Sequence, residues 1–300
     1  MEPKVSIIMP TWNRAAFIMD AVDSVTGQTY QNWELIIVDD GSTDNTEAII
    51  SQIKDSRVQF YKAGKIGIGI RLKNIGIERS CGELIAFIDS DDMWAPSKLE
   101  KQVRIFYDYP DAGFSITGGY NFRIPGEPLE YFYKEREGIK YDNIFFSFFR
   151  SEAAVLPQTL MFRRSCMTVI QKFSESAPFS DVEFILGLAL EFKAVILYEP
   201  LLYRRLHDTG YSIMNWEKGY YEGIHVIRLF RHKGKLPAKM ARDALFRLYI
   251  HSGEEFANFK KPGKAISNFL KAWMNKPFSI IPAKKTGKLI LRYFKSSRVD

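Results

Sequence analysis

The 300 residues contain only two cysteines, Cys81 and Cys166, and neither has a partner at C-x-x-C spacing. That excludes a disulfide framework and a cysteine zinc site, and a reducing compartment fits best. No run of 18 apolar residues occurs, so no segment is expected to span a bilayer. No charged-then-apolar leader opens the chain, because Met1-Glu2-Pro3-Lys4 runs straight into a strand-like stretch, and no export signal is expected. Internal repeats are absent too. Hydrophobic residues at 46% and charged residues at 26% argue against long disorder. The length suits one large α/β domain or one domain with an appendage.

Acidic residues are scarce in one place. From Arg231 to Asp300 there are 17 Lys or Arg against Asp243, Glu254, Glu255 and Asp300, a net of +13, which leaves 25 against 31 in the remainder, or −6. Such asymmetry points to a tail that meets an anionic surface, while the acidic N-terminal part needs a cation to hold an anionic ligand.

Short β-branched runs alternate with helical patterns through the first hundred residues. Val5 to Met9, Glu34 to Val38, Val58 to Tyr61 and Leu84 to Ile88 read as strands. Helices are predicted from Ala15 to Val25, Asp44 to Ile53 and Pro96 to Tyr107, each with apolar residues at helical spacing. The alternation implies right-handed βαβ units and a parallel sheet. After Tyr109 the pattern turns to loops and mixed strands. A strand is expected at Thr159 to Phe162, a helix from Asp181 to Glu191 and a strand at Ala194 to Tyr198. Beyond Asn215 the pattern is helical, with breaks at Gly234 to Pro237, Lys261 to Gly263 and Pro277 to Pro282.

The fourth apolar run delivers Asp89-Ser90-Asp91-Asp92 to its C-terminal end. Ligands of open parallel sheets sit outside the carboxyl ends of the strands, and clustered carboxylate oxygens suit a hard cation such as Mg²⁺ or Mn²⁺. The same residues also read as the start of the next helix, with Pro96 in its first turn. The second run ends in Val38-Asp39-Asp40-Gly41-Ser42-Thr43-Asp44-Asn45-Thr46, which places acids on the same rim. An Asp-Gly-Ser turn accounts for the glycine and hydroxyls there. A carboxylate can also accept the imide N–H of a uracil ring or a ribose hydroxyl.

Pro10-Thr11-Trp12-Asn13-Arg14, Gln28-Thr29-Tyr30, the Val38 to Thr46 run, Asn74-x-Gly76 and Gly82 to Asp92 occur in one order and spacing. Together they resemble the family 2 inverting glycosyltransferases over residues 4–105, with weaker matches to residue 212. The resemblance implies a GT-A fold, with a mostly parallel central sheet flanked by helices. Residues 1–108 would form its nucleotide-sugar-binding half and residues 109–214 its acceptor-binding half, followed by a basic helical region at 215–300.

It further implies a nucleotide-sugar donor, usually a UDP-sugar, and a Mn²⁺ or Mg²⁺ ion. Asp40, beside Asp39, would contact the base, in a pocket lined by Pro10, Thr11 and Trp12. Arg71 and Asn74 would approach the nucleotide. Asp89 and Ser90 would face the ribose, Asp89 alternatively the metal, and Asp91 would ligate the metal directly. In Tyr203-Arg204-Arg205-Leu206-His207, one arginine would meet the diphosphate and His207 would join the metal. The catalytic base of similar enzymes matches Asp181, although Ser180 stands where they carry a glutamate. Ser180-x-x-Glu183 is equally a capping box, and a first-turn dipole favours an ionised carboxylate in either role.

Ile266, Phe269, Leu270 and Trp273 form one apolar stripe among lysines, and Leu289, Ile290, Tyr293 and Phe294 form another. Residues 260–298 therefore read as basic amphipathic helices, lying on an anionic membrane or packed on the catalytic domain. No nucleic-acid-binding module is recognisable. The function expected is metal-dependent, inverting sugar transfer to a hydroxyl of a lipid-linked saccharide or polysaccharide, by a cytoplasmic protein peripheral to the inner face of the cell membrane. A sugar nucleotidyltransferase is the rival enzyme, but Pro10-Thr11-Trp12-Asn13 is not its glycine-rich phosphate loop. A catalytically silent sugar-nucleotide-binding module docked on the membrane is the other alternative.

Overall fold

The computed structural model describes residues 2–133, 136–153, 156–170, 172–175, 181–210 and 214–296, with side chains through Leu289. Two compact units divide the chain, one of residues 1–148 and 153–214, the other of 149–152 and 215–300.

In the first unit β1 (Val5–Thr11), α1 (Ile18–Thr26), β2 (Trp33–Asp39), α2 (Thr46–Ile50), β3 (Val58–Lys62), α3 (Gly69–Arg79) and β4 (Leu84–Phe87) follow one another. Next come β5 (Met93–Trp94), α4 (Lys98–Asp108), β6 (Ala112–Phe122), β7 (Pro128–Tyr131), β8 (Ile139–Asp142), α5 (Phe145–Phe149), β9 (Met161–Arg163), α6 (Asp181–Glu191) and β10 (Lys193–Arg205). All these strands join one sheet in the order β3-β2-β1-β4-β9-β6-β10-β5, with β7 on β6 and β8 on β10. The first four are parallel, β9 runs antiparallel between β4 and β6, and β10 is parallel to β6. The chain moves outward from β1 to β3 and then returns to the other side of β1 for β4. That reversal is a topological switch point, where open α/β sheets bind ligands.

The central strands are mostly apolar because both faces are covered. Ile7, Met9, Leu35 and Ile37 pack with Ile18 and Val22 of α1 and with Leu99, Val103 and Phe106 of α4. Ile36 and Val38, one residue out of phase, pack with Leu72 of α3. Gly76 explains the Asn74-x-Gly76 motif on this face, since a Cβ there would collide with the Ile8 side chain. α1 has no side-chain cap, a loss of about 1 kcal/mol. Burial of Ile18, Val22 and Val25 outweighs it, at about 1.5–3 kcal/mol for each large side chain.

Several boundaries differ from the expected ones for local reasons. Asp44 lies outside α2, because its carboxylate accepts the Thr46 N–H and closes a turn. Pro157–Thr159 forms a 3₁₀ turn, so β9 starts only at Met161. β10 reaches Arg205, accommodating Pro200 at a register shift. The helix-start reading of Asp91 and Asp92 is overturned. Met93 and Trp94 pair with Tyr203 and Leu202 as β5, and α4 begins only at Lys98.

The second unit contains α7 (Trp216–His232), α8 (Ala238–Asn258), α9 (Pro262–Asn275) and α10 (Ile281–Ser296), separated at the three expected breaks. Its core joins Tyr220, Ile224, Phe246, Tyr249, Phe256 and Phe269. The first basic stripe therefore splits. Phe269 is 2% exposed and packs inward, while Leu270 and Trp273 stay on the surface. Leu289 also packs against the helical core, and the side chains of Ile290, Tyr293 and Phe294 lie outside the described residues.

Lys98 is fully buried, bonded to Gln102 and 4.3 Å from the Trp94 ring centroid. Gln102 in turn donates to the Ser115 hydroxyl at 2.9 Å and the Thr159 carbonyl at 3.1 Å, tying α4 to β6 and the 3₁₀ turn. Burial pulls the Lys98 ammonium from 10.5 down to about 7. Between those values the unfolded chain binds more protons, so stability rises with pH across that window. Urea midpoints measured at both ends of the window are expected to show the rise in the parent and to lose it in Lys98→Met. A flat parent profile would contradict this.

Candidate active site

The C-terminal ends of β1, β2 and β4 form one rim. Pro10 lies beyond the pairing of β1 with β4, where its missing N–H costs that ladder nothing. Thr11 pairs with Asp39, and its buried hydroxyl oxygen has no hydrogen-bond partner. Trp12 beside it is 50% exposed. Asn13 adopts a left-handed φ of 49°, which asparagine tolerates better than most residues. From there its side chain accepts the Thr43 N–H, and its own N–H donates to the Ser42 hydroxyl, both at 2.8 Å. The strand end thus clasps the loop after β2.

Asp39 is an organiser of that loop, accepting the N–H groups of Gly41 at 3.1 Å and Ser42 at 2.9 Å and the Ser42 hydroxyl. Gly41 follows at φ +72°, a conformation glycine adopts freely. The Asp40 carboxylate accepts the N–H groups of Ile66 and Gly67 and so holds the loop between β3 and α3.

Asp89, Asp91 and Asp92 follow β4, and one carboxylate oxygen of each lies within 4.8 Å of the others. A cation bound by two oxygens at about 2.1 Å each holds them up to about 4.2 Å apart, so small shifts bring all three onto one ion. The donor set is hard oxygen, suited to Mg²⁺ or Mn²⁺. Burial, then the neighbouring charges of Asp91 and Asp89, hold the Asp92 carboxyl well above its ordinary 3.8. Burial also raises Asp89, offset in part by Lys73, while Asp91 and Asp181 push in the same direction as burial. Ser90, between them, is buried.

Basic groups converge on Asp91. Its Oδ2 takes the Arg14 Nε–H at 3.1 Å and lies 3.0 Å from His207 Nε2. His207 Nδ1 meets the Thr209 hydroxyl at 2.9 Å. Arg205 is engaged structurally. Its N–H donates to Asp92 and its Nε–H to the Asp91 carbonyl, and its guanidinium pairs with Asp20 at 2.6 Å between the Phe17 and Phe122 rings. Arg204, the adjacent strand residue, projects to the opposite face of β10 and contributes a smaller electrostatic pull on Asp92.

Asp181 opens α6 and pairs with the buried Lys73 ammonium at 2.7 Å. Ser180 lies outside the described residues. Asn74 is committed to the segment before α6: its amide donates to the Phe173 carbonyl and Glu175, and its oxygen accepts the Phe173 N–H. Arg71 lies 3.7 Å from Glu175. Arg14, Lys73 and Gln158, which donates to Asp89, were not among the expected site residues, while Asp92 was expected in the acid cluster without a role of its own. Arg14 had a signal, because it closes the Pro10 to Arg14 motif. Lys73 sits among apolar residues of a helix and looks like an ordinary surface lysine in the sequence.

A sheet that switches between β1 and β4 with clustered acids at that point is the GT-A class of fold. The solved S. aureus TarS 1–349 is similar in fold, with a TM-score of 0.67 at 17% identity over 91% of this chain and 81% of that one. Residues 6–175 match the family described as Glycosyl transferase family 2, and the chain belongs to that family. TuaG of Bacillus subtilis, a glycosyltransferase assigned to teichuronic acid biosynthesis, is 39% identical over 145 residues, covering 47% of this chain and 57% of that protein. WfgD of Escherichia coli, named as a UDP-Glc:alpha-D-GlcNAc-diphosphoundecaprenol beta-1,3-glucosyltransferase, is 42% identical over 103 residues, 33% of this chain and 39% of that protein. The chain thus spans little more than half the length of TuaG and well under half that of WfgD.

Three carboxylates this close repel one another when no cation is present. Asp92 keeps its proton in the folded state above the 3.8 at which the unfolded chain releases it, so stability falls as pH rises through the folded value. Asp92→Asn, which can still accept the Arg205 N–H, is expected to melt a few degrees above the parent in EDTA at neutral pH. Added Mn²⁺ should raise the parent more than the variant. A variant that melts lower in EDTA would contradict the repulsion.

Proposed function

We propose that this chain transfers a sugar from a nucleotide-sugar donor, a UDP-sugar first among them, to a hydroxyl of a lipid-linked saccharide or polysaccharide, inverting the anomeric carbon. The observation that carries the reading is the acid cluster at the β1/β4 switch point, within electrostatic reach of a further carboxylate, Asp181. TarS 1–349 is solved with UDP and with UDP-GlcNAc, and WfgD is named for transfer to a diphosphoundecaprenol-linked sugar, which supports the donor and acceptor classes.

In this reading Thr11, Trp12, Asp39 and Asp40 border the nucleoside. Asp91, Asp89 and Asp92 hold a Mn²⁺ or Mg²⁺ ion, with His207 beside Asp91. When bound, that ion supplies the positive charge that lets a diphosphate lie beside three acids and leave with its electron pair. Arg14 and Arg204 add cationic character to the same rim. Asp181, oriented by its ion pair with Lys73, takes the proton of the acceptor hydroxyl. The freed oxygen attacks the anomeric carbon from the face opposite the diphosphate, one C–O bond forming as the other breaks.

The protein would act in the cytoplasm at the inner face of the cell membrane, with its +13 C-terminal region towards anionic lipid. Among the described residues no helix is long and apolar enough to cross a membrane.

A panel of nucleotide sugars with Mn²⁺, read by released nucleotide and product stereochemistry, identifies the donor and tests inversion. With that donor, Asp181→Asn is expected to bind UDP as the parent does and to lose about 10²–10⁴-fold in kcat. Retained turnover would remove Asp181 from the reaction.

A further inference from the structure

The corner between α9 and α10 exposes more apolar surface than its sequence stripes foretell. Leu270 is 55% exposed, Trp273 49%, Met274 76%, Phe278 99%, Ile280 61% and Ile281 44%. Single exposed apolar residues are ordinary, but six large ones within twelve residues form a patch that marks an interaction surface. The opposite side of α9 is already used, because Ala265, Phe269 and Ala272 pack into the helical core of the second unit. The corner is therefore not an unfinished part of that core.

Charge selects the occupant. Between Glu255 and Asp300 the chain carries eleven Lys or Arg and no acid. Lys276 and Lys285 are drawn back onto Asp243 and Glu254, whereas Lys271 and Lys284 flank the patch on the exposed surface. A second copy of the same corner would bring like charges together. Nucleic acid would leave isoleucine, leucine and methionine without apolar partners. An anionic bilayer meets both demands, since headgroups face the lysines while the apolar side chains enter the acyl boundary, where tryptophan is favoured.

We infer that residues 270–281 are the element of this chain that inserts into an anionic lipid surface, with Trp273, Met274 and Phe278 as the inserting side chains. This rests on the membrane reading above and narrows it from the whole of residues 260–298 to one helix corner.

The test is co-sedimentation of the full chain with vesicles of phosphatidylglycerol and phosphatidylcholine, and with phosphatidylcholine alone. It compares the parent with the triple variant Trp273→Ser, Met274→Ser, Phe278→Ser. All three side chains are surface groups, and unchanged melting confirms an intact fold. The parent is expected to sediment with the anionic vesicles only, and the variant to bind them at least about tenfold more weakly. Equal binding by parent and variant overturns the corner while leaving the membrane reading in place. A parent that binds neither vesicle overturns both. If the variant instead abolishes a dimer seen in solution and keeps its vesicle binding, the corner belongs to a second copy and the inference falls.

Discussion

Packing Asp89, Asp91 and Asp92 into one partly buried cluster is the constraint on which the rest of the site depends. Buried like charges are costly, and here burial and mutual repulsion hold Asp92 and Asp89 above their ordinary values. The surroundings answer that cost in specific ways. Arg14 and His207 both reach Asp91 Oδ2, Arg205 donates to Asp92 and to the Asp91 backbone, and Gln158 donates to Asp89. These partners come from the loop after β1, the end of β10 with the residues just after it, and the 3₁₀ turn, so the cluster ties distant parts of the sheet to one point.

The fold puts that point where ligands bind. Because β4 returns beside β1, its acids emerge next to Thr11 and Trp12 and one strand away from Asp39 and Asp40. Close packing makes the arrangement rigid. Gly76 lets α3 lie against β1, and the same helix carries Lys73 to Asp181 and Asn74 to the Phe173 backbone. A single helix therefore links the proposed base to the sheet that carries the acids.

Much of this was legible in the chain. Four apolar runs, three of them leading into Thr11, Asp39 and Asp89, stated the parallel sheet and its rim, because strands buried on both faces leave continuous hydrophobic runs. The helix breaks at Pro237, Pro262 and Pro282 were equally plain. What stayed hidden was long-range. β5 is two residues that pair with β10 more than a hundred positions away, so a helix start stayed open as an alternative for Asp91 and Asp92 beside the cation site. Lys73 and Gln158 acquire their partners only through tertiary contacts. The basic stripe of α9 divided because periodicity marks an apolar face without saying which of its residues a neighbouring helix covers.

The proposed transfer depends on the acid cluster holding a cation that in turn holds a diphosphate. Calorimetry of UDP binding to the parent and to Asp91→Ala, with and without Mn²⁺, measures that link directly. Mn²⁺ is expected to tighten UDP binding to the parent by about tenfold or more and to leave Asp91→Ala unaffected. Equal UDP affinity in the parent with and without Mn²⁺, or an undiminished Mn²⁺ effect in Asp91→Ala, would contradict it.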